Sequence, residues 1–115
     1  MKILLIDDED FILNLLTEVT SMTGHESVTA INGAEAVKKF QDNIDISTVF
    51  CDFTLPDNDG LTIIAQLKAI RPAATVYLLT GWGLSYFDDK DTSQVAEIIT
   101  KPFDIQHIIE LLSNG

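Results

Sequence analysis

Near the amino terminus, Ile3-Leu4-Leu5-Ile6-Asp7-Asp8-Glu9-Asp10 is an apolar run that ends abruptly in carboxylates. Consecutive apolar residues, rather than alternating ones, suit a strand covered on both faces, as in a parallel sheet. Beyond the carboxylates, Phe11, Ile12, Leu15, Leu16, Val19 and Met22 recur at helical spacing, and Gly24 is a fitting stop. The alternation of strand and helix then continues. Strands are expected near Ser27 to Ile31, Thr48 to Cys51, Val76 to Leu79 and Glu97 to Thr100. Helices are expected near Ala34 to Phe40, then with Ile63, Ile64, Leu67 and Ile70 facing inward, and last with Ile105, Ile108, Ile109 and Leu112. The polar stretch Leu84 to Gln94 is only weakly periodic. About five helices alternating with five strands predict an α/β fold, and right-handed crossovers narrow it to a doubly wound parallel sheet with helices on both faces.

Composition sets the outer bounds. The chain of 115 residues has 46% hydrophobic residues, 18 Asp+Glu against 7 Lys+Arg, and a formal net charge of -11. No linker or repeat interrupts it, so one domain over residues 1–115 is expected. The apolar fraction is too high for a disordered chain, and no run is long enough for a membrane span or a secretory signal. Direct binding to nucleic acid or an anionic membrane is disfavoured by the charge, whereas a basic partner or a divalent cation is allowed. Cys51 has no second cysteine to pair with, which favours a reducing, cytoplasmic setting.

In a parallel sheet the carboxyl ends of all strands lie along one edge, where ligand sites form. Four of the five expected strands end in reactive groups: Asp7-Asp8 after the first, Asp52 after the third, Thr80 after the fourth, Lys101 after the fifth. Carboxylates about 5 Å apart repel by roughly 3 kcal/mol at an effective dielectric near 20. A hard cation with oxygen ligands offsets that repulsion, and Mg2+ fits because it keeps its own waters and accepts phosphate oxygens. Lys101 and Thr80 are then free for a phosphoryl group, and a carboxylate can be the nucleophile that forms an aspartyl-phosphate.

At these residues the chain resembles the receiver (phospho-acceptor) domain of two-component response regulators, over essentially its whole length. The segments that carry the resemblance are Leu5-Ile6-Asp7-Asp8-Glu9, Asp52-Phe53-Thr54-Leu55-Pro56-Asp57-Asn58-Asp59-Gly60, Leu78-Leu79-Thr80-Gly81 and Thr100-Lys101-Pro102-Phe103. The resemblance implies the flavodoxin-like strand order 2-1-3-4-5. It implies that Asp52 takes a phosphoryl group from a sensor histidine kinase or a histidine phosphotransfer protein. Asp7, Asp8, Asp52 and the carbonyl of Thr54 would hold Mg2+, Thr80 would bond a phosphoryl oxygen, and Lys101 would pair with the phosphoryl group. The Lys101-Pro102 peptide is expected to be cis, and Gly81 to leave the acyl phosphate accessible. Such a domain is a switch rather than a classical enzyme, catalysing only its own phosphorylation and dephosphorylation. An output domain or protein target, and a homodimer through the face around the last helix, are partners the resemblance allows.

Two departures stand out. Ile98 occupies a place where the family often has an aromatic residue three positions before the lysine, and Gly81-Trp82-Gly83 leads into the polar Asp88-Asp89-Lys90-Asp91. The resemblance implies that Trp82, two residues after Thr80, and Thr54, two after Asp52, occupy positions that tune phosphoryl lifetime in the family, and Trp82 is expected to slow water attack on Asp52 phosphate. Several residues also have plainer readings. Asp7, Asp8, Glu9 and Asp10 suit a helix cap. Asp52 suits a turn, Thr80 a β-branched strand position, and Lys101-Pro102 a turn. Asp57 and Asp59 are assigned to turn chemistry, with Gly60 supplying a backbone angle other residues resist. Cys51 reads as a small buried residue, and His25 and His107 are too isolated for a zinc site. Two other classes compete. A Mg2+-dependent phosphohydrolase of the haloacid dehalogenase type wants a second Asp where this chain has Thr54. A constitutive interaction module of the same fold would not turn over phosphate.

Overall fold

The computed structural model describes residues 1–113; Asn114 and Gly115, the end of the expected domain, lie outside the described residues. The strands β1 (Lys2–Ile6), β2 (Glu26–Ala30), β3 (Ile46–Asp52), β4 (Thr75–Thr80) and β5 (Glu97–Thr100) form one parallel sheet in the order β2-β1-β3-β4-β5. Between and after them run α1 (Asp10–Met22), α2 (Gly33–Asp42), α3 (Gly60–Ile70) and α4 (Ile105–Ser113). Among the described residues the link from β4 to β5 has no α-helix, only a single 3-10 turn at Leu84–Phe87. The expected fifth helix is therefore corrected to that turn. Its polar sequence offers one buried anchor, Phe87, which is too little apolar surface to hold a helix in place.

Strand alternation divides the interior into two cores. Ile3, Leu5, Phe50 and Leu79 point to one face and pack with Leu13, Leu16 and Val19 of α1 and Ile108 and Leu112 of α4. Leu4, Ile6, Val49, Cys51 and Leu78 point to the other, against Ala36 and Phe40 of α2 and Ile63, Ile64 and Leu67 of α3. Both faces are covered, which is why Ile3–Ile6 of β1 and Val49–Cys51 of β3 are apolar without alternation. Three residues expected on inner faces are instead exposed: Phe11 at 74%, Met22 at 70% and Ile70 at 39%. Each occupies the first or last turn of its helix.

Local chemistry sets the helix boundaries. Gly24 ends α1 with φ of +81°, a left-handed angle that glycine adopts without a Cβ penalty. Asn32 caps α2 by accepting from Glu35 N at 2.8 Å, and Asp59 caps α3 by accepting from Thr62 N at 2.9 Å. Gly60 is needed for a different reason than expected. Its φ is not positive; instead, a Cβ there would stand 2.4 Å from the Asp52 carbonyl oxygen, and its N–H donates to Phe53 O at 2.6 Å. That close approach folds the Thr54–Asp59 loop back over the end of β3. Among the described residues no helix is long and apolar enough to cross a membrane.

Candidate phosphoryl and metal site

Sheet hydrogen bonding continues one residue beyond three of the strands and fixes the residues just past their ends. Asp7 N donates to Ala30 O at 3.1 Å, Phe53 N to Leu79 O at 2.8 Å, and Lys101 N to Thr80 O at 2.7 Å. Asp7, Asp52 and Lys101 thus sit on a rigid edge instead of on free loops. Asp7 is fully buried and Asp52 nearly so, whereas Asp8 is exposed. One carboxylate oxygen from each of Asp7, Asp8 and Asp52 lies within 4.8 Å of the others. At that spacing each pair repels by about 3 kcal/mol at an effective dielectric near 20.

Lys101 answers part of this repulsion. Its Nζ lies 2.9 Å from Asp7 Oδ2, 3.2 Å from Asp52 Oδ1 and 3.5 Å from Glu9 Oε1. Burial works to lower the Lys101 pKa, but the hydrogen bond to Asp7 and the charges of Asp52 and Asp7 outweigh it and leave it raised. Asp52 moves the other way from an ordinary carboxylate. Burial and the charge of Asp7 push its pKa up to about 6, against the pull of Lys101. Near neutral pH Asp52 is therefore mostly ionised and poorly solvated, the condition of an activated nucleophile.

A cleft of about 330 Å³ opens above Asp52, lined by Glu9, Thr54, Gly81, Trp82 and Lys101 as well. Thr80 lies buried at the same edge, and its Oγ1 accepts from Trp82 N at 2.9 Å, which ties the hydroxyl to the loop that carries the indole. The Lys101-Pro102 peptide is cis. The donor set fits Mg2+: carboxylate oxygens only, buried on one side, open on the other, and short of positive charge even with Lys101 present.

Two residues do more than their sequence reading implies. Glu9 reads only as a cap, yet it lines the cleft and shares Lys101; its place directly after Asp7-Asp8 is the signal that could have found it. Asp57 does more than shape a turn. Its Oδ1 and Oδ2 accept from Gly33 N at 2.8 Å and Ala34 N at 3.0 Å, clamping the loop after β3 to the start of α2. Those two N–H groups hold its pKa below the usual carboxylate range. Nothing in the local sequence predicts a partner 24 residues away.

A doubly wound parallel sheet with a buried carboxylate, two further carboxylates beside it and a lysine at its carboxyl edge is the arrangement of a class of phosphoryl-accepting signalling domains. Comparison with known proteins makes the assignment specific: residues 3–113 match the response regulator receiver domain, and the chain belongs to that family. It is 32% identical to the chemotaxis protein CheY of Listeria monocytogenes, covering 100% of this chain and 98% of that protein. Sporulation initiation phosphotransferase F of Bacillus subtilis is 32% identical over 93% of this chain and 86% of its own length. Among solved structures, the response regulator TrrA of Thermotoga maritima in complex with Mg2+ and BeF superposes with a TM-score of 0.87 at 31% identity, covering 98% of this chain and 96% of that one. A receiver domain from Clostridium thermocellum gives 0.88 at 31% identity, covering 98% and 91%. The chain is thus a CheY-like receiver domain of a two-component system, of a kind phosphorylated on aspartate. Such domains are signalling modules rather than classical enzymes; they bind Mg2+ at an acidic pocket and interact with histidine kinases and phosphotransfer proteins.

Proposed function

We propose that residues 1–115 form one receiver domain in which Asp52 is the phosphoryl acceptor. An Asp52 Oδ attacks the phosphorus of a phosphohistidine on a sensor kinase or phosphotransfer protein. The P–O bond forms as the P–N bond breaks, and the electron pair leaves with the imidazole nitrogen. Lys101 Nζ, already 3.2 Å from Asp52 Oδ1, stabilises charge on the transferred group. Asp7, Asp8 and Asp52, with the carbonyl of Thr54, would hold Mg2+, which supplies further neutralisation when bound. Thr80 exchanges its bond from Trp82 N for one to a phosphoryl oxygen, and Trp82 screens the acyl phosphate from water. The domain thereby catalyses its own phosphorylation and dephosphorylation and nothing else.

One observation carries this reading: a buried carboxylate at the floor of an open cleft, with two more carboxylates and a lysine around it. The test is incubation with Mg2+ and acetyl phosphate, read by intact mass. One phosphoryl group is expected on the wild type and none on Asp52→Asn. Equal labelling of both would place the acceptor elsewhere. Sustained phosphate release from many organic phosphates would instead favour the hydrolase reading.

A further inference from the structure

Because a 3-10 turn stands in place of the expected helix, the flank of α3 toward β5 is left open. A groove of about 730 Å³ runs there, lined by Phe53, Leu61, Ala65, Tyr86, Asp59 and Asp91 among others. Its aromatic wall is built, not accidental. Tyr86 stacks on Trp82 at 4.9 Å between ring centroids and meets Phe87 edge-on at 5.2 Å, and Phe53 meets Phe87 edge-on at 5.1 Å. Trp82, Leu84 and Tyr86 remain 52%, 59% and 40% exposed. The surroundings are acidic: Asp59 and Asp91 line the groove, and Asp88 and Asp89 continue along the same loop, all exposed. Against them stands one cation, Lys90, whose Nζ lies 4.6 Å from the Tyr86 ring centroid and 3.8 Å from Asp89.

Lys90 shows what this wall accepts: a cation over an aromatic face, with a carboxylate beside it. We propose that the groove between α3 and the Leu84–Phe87 turn is a docking surface for a basic peptide segment, with an apolar anchor seated against Phe53, Leu61 and Tyr86 and arginine or lysine facing Asp59, Asp88, Asp89 and Asp91. An apolar core with an oppositely charged rim is the ordinary anatomy of a recognition site. The groove also touches the phosphoryl site through the chain itself. Phe53 lines the groove and directly follows Asp52, and Trp82 lines the cleft above Asp52 while stacking on Tyr86. Occupancy and phosphorylation therefore bias one another, by equal factors in both directions. This coupling rests on Asp52 being the acceptor; the docking itself does not.

The test uses the full chain and two fluorescent dodecapeptides, one in which arginine alternates with leucine and tryptophan, and one with glutamate replacing every arginine. Anisotropy should show binding of the arginine peptide only, weakening with salt. The exposed-site variants Asp88→Asn/Asp89→Asn/Asp91→Asn and, separately, Ala65→Arg should each weaken it about ten-fold or more. Removing three charges elsewhere, by Glu18→Gln/Asp42→Asn/Glu110→Gln, should change it by less than about two-fold. Asp52→Asn should still bind, and Mg2+ with beryllofluoride should shift the wild-type Kd by about three-fold or more and leave the Asp52→Asn Kd unchanged. Docking is overturned if the chain binds neither peptide, binds both alike, responds equally to the two charge-removal variants, or self-associates through this groove with loss on Ala65→Arg. A beryllofluoride-independent Kd in the wild type overturns the coupling alone.

Discussion

The edge holding Asp7 and Asp52 is backed on both faces by side chains with essentially no solvent exposure, whereas the Leu84–Gln94 segment is held by buried Phe87 and by aromatic contacts of Tyr86 and Phe87 with Trp82, Phe53 and each other. On the edge, charged groups are fixed by ladder hydrogen bonds that run past the strand ends. In the segment, they hang on exposed turns such as the one Asp91 makes with Ser93. Close packing supplies the fixed geometry that phosphoryl chemistry needs, since a misplacement of about 1 Å costs large factors in rate. Loose packing gives a surface that can rearrange when that chemistry occurs, because parts that move are drawn from the least stable end of the structure.

If this division is correct, core and segment substitutions should separate cleanly in stability. Phe50 has no exposure and stacks on Tyr77 at 4.9 Å, so Phe50→Ala should cost about 3 to 5 kcal/mol. Leu84→Ala, at 59% exposure, should stay within about 0.5 kcal/mol. Urea unfolding of both variants checks this, and a comparable loss at Leu84 would mean the segment is part of the rigid body.

At the edge itself, Lys101→Met should lower the rate of phosphorylation by acetyl phosphate about 10²- to 10³-fold, the usual loss for one donor aimed at developing charge. Mg2+ affinity should rise in the same variant, because a cation now held 2.9 Å from Asp7 and 3.2 Å from Asp52 is gone. Trp82 fluorescence reports the titration. Opposite signs in the two measurements separate charge chemistry from simple damage to the fold.

Smaller effects come from the carboxylates. Asp52 has a folded pKa of about 6 against an ordinary value of 3.8, so between those pH values the folded chain binds more protons than the unfolded one. Without a divalent ion, its contribution to stability therefore falls as pH rises through that window. Adding Mg2+ at ten times its Kd should return about 1.4 kcal/mol, read as a rise in Tm that Asp8→Ala abolishes. Trp82→Ala should speed loss of the phosphoryl group by a factor of about three to ten, without changing Tm appreciably, since the indole is half exposed. Unchanged or slower dephosphorylation would remove the indole from any shielding role.

Legibility in the sequence obeys the same division. Ile3 to Ile6 and Thr48 to Cys51 announce strands because burial on both faces forces a continuous apolar run, and the residues after them land on one edge by topology alone. Ladder registry then brings Asp7, Asp8, Asp52 and Lys101 together with no further information. Periodicity misplaces Phe11, Met22 and Ile70 at the helix ends, because it marks a face but not how far along the helix that face stays covered. The clamp from Asp57 to α2 and the sharing of Lys101 by Glu9 arise only after folding, between groups that have no reason to meet in the unfolded chain. The missing helix is half legible: the weak periodicity of Leu84 to Gln94 is visible in the sequence, but the aromatic stack that takes its place is not.

The gentlest contrast lies at the far side of the same region, where β5 meets α4. His107 is raised above its ordinary value of 6.5, chiefly by its hydrogen bond to Glu97, with burial opposing and the charges of Glu97, Glu110 and Asp104 assisting. The protonated imidazole is favoured in the folded state, so the pair contributes stability fully below pH 6.5, and the contribution disappears as pH climbs through the higher folded value. Both side chains are well exposed, so solvent and salt screen the pair and the effect is small. Glu97→Gln should therefore lower stability modestly at about pH 6 and leave it unchanged near pH 9, with the difference shrinking in high salt. Chemical unfolding of the two proteins across that range, with the His107 shift followed by NMR, decides it. A deficit that grows with pH would mean the Glu97 carboxylate answers to some other group, and that this side of the segment is braced more firmly than its exposure implies.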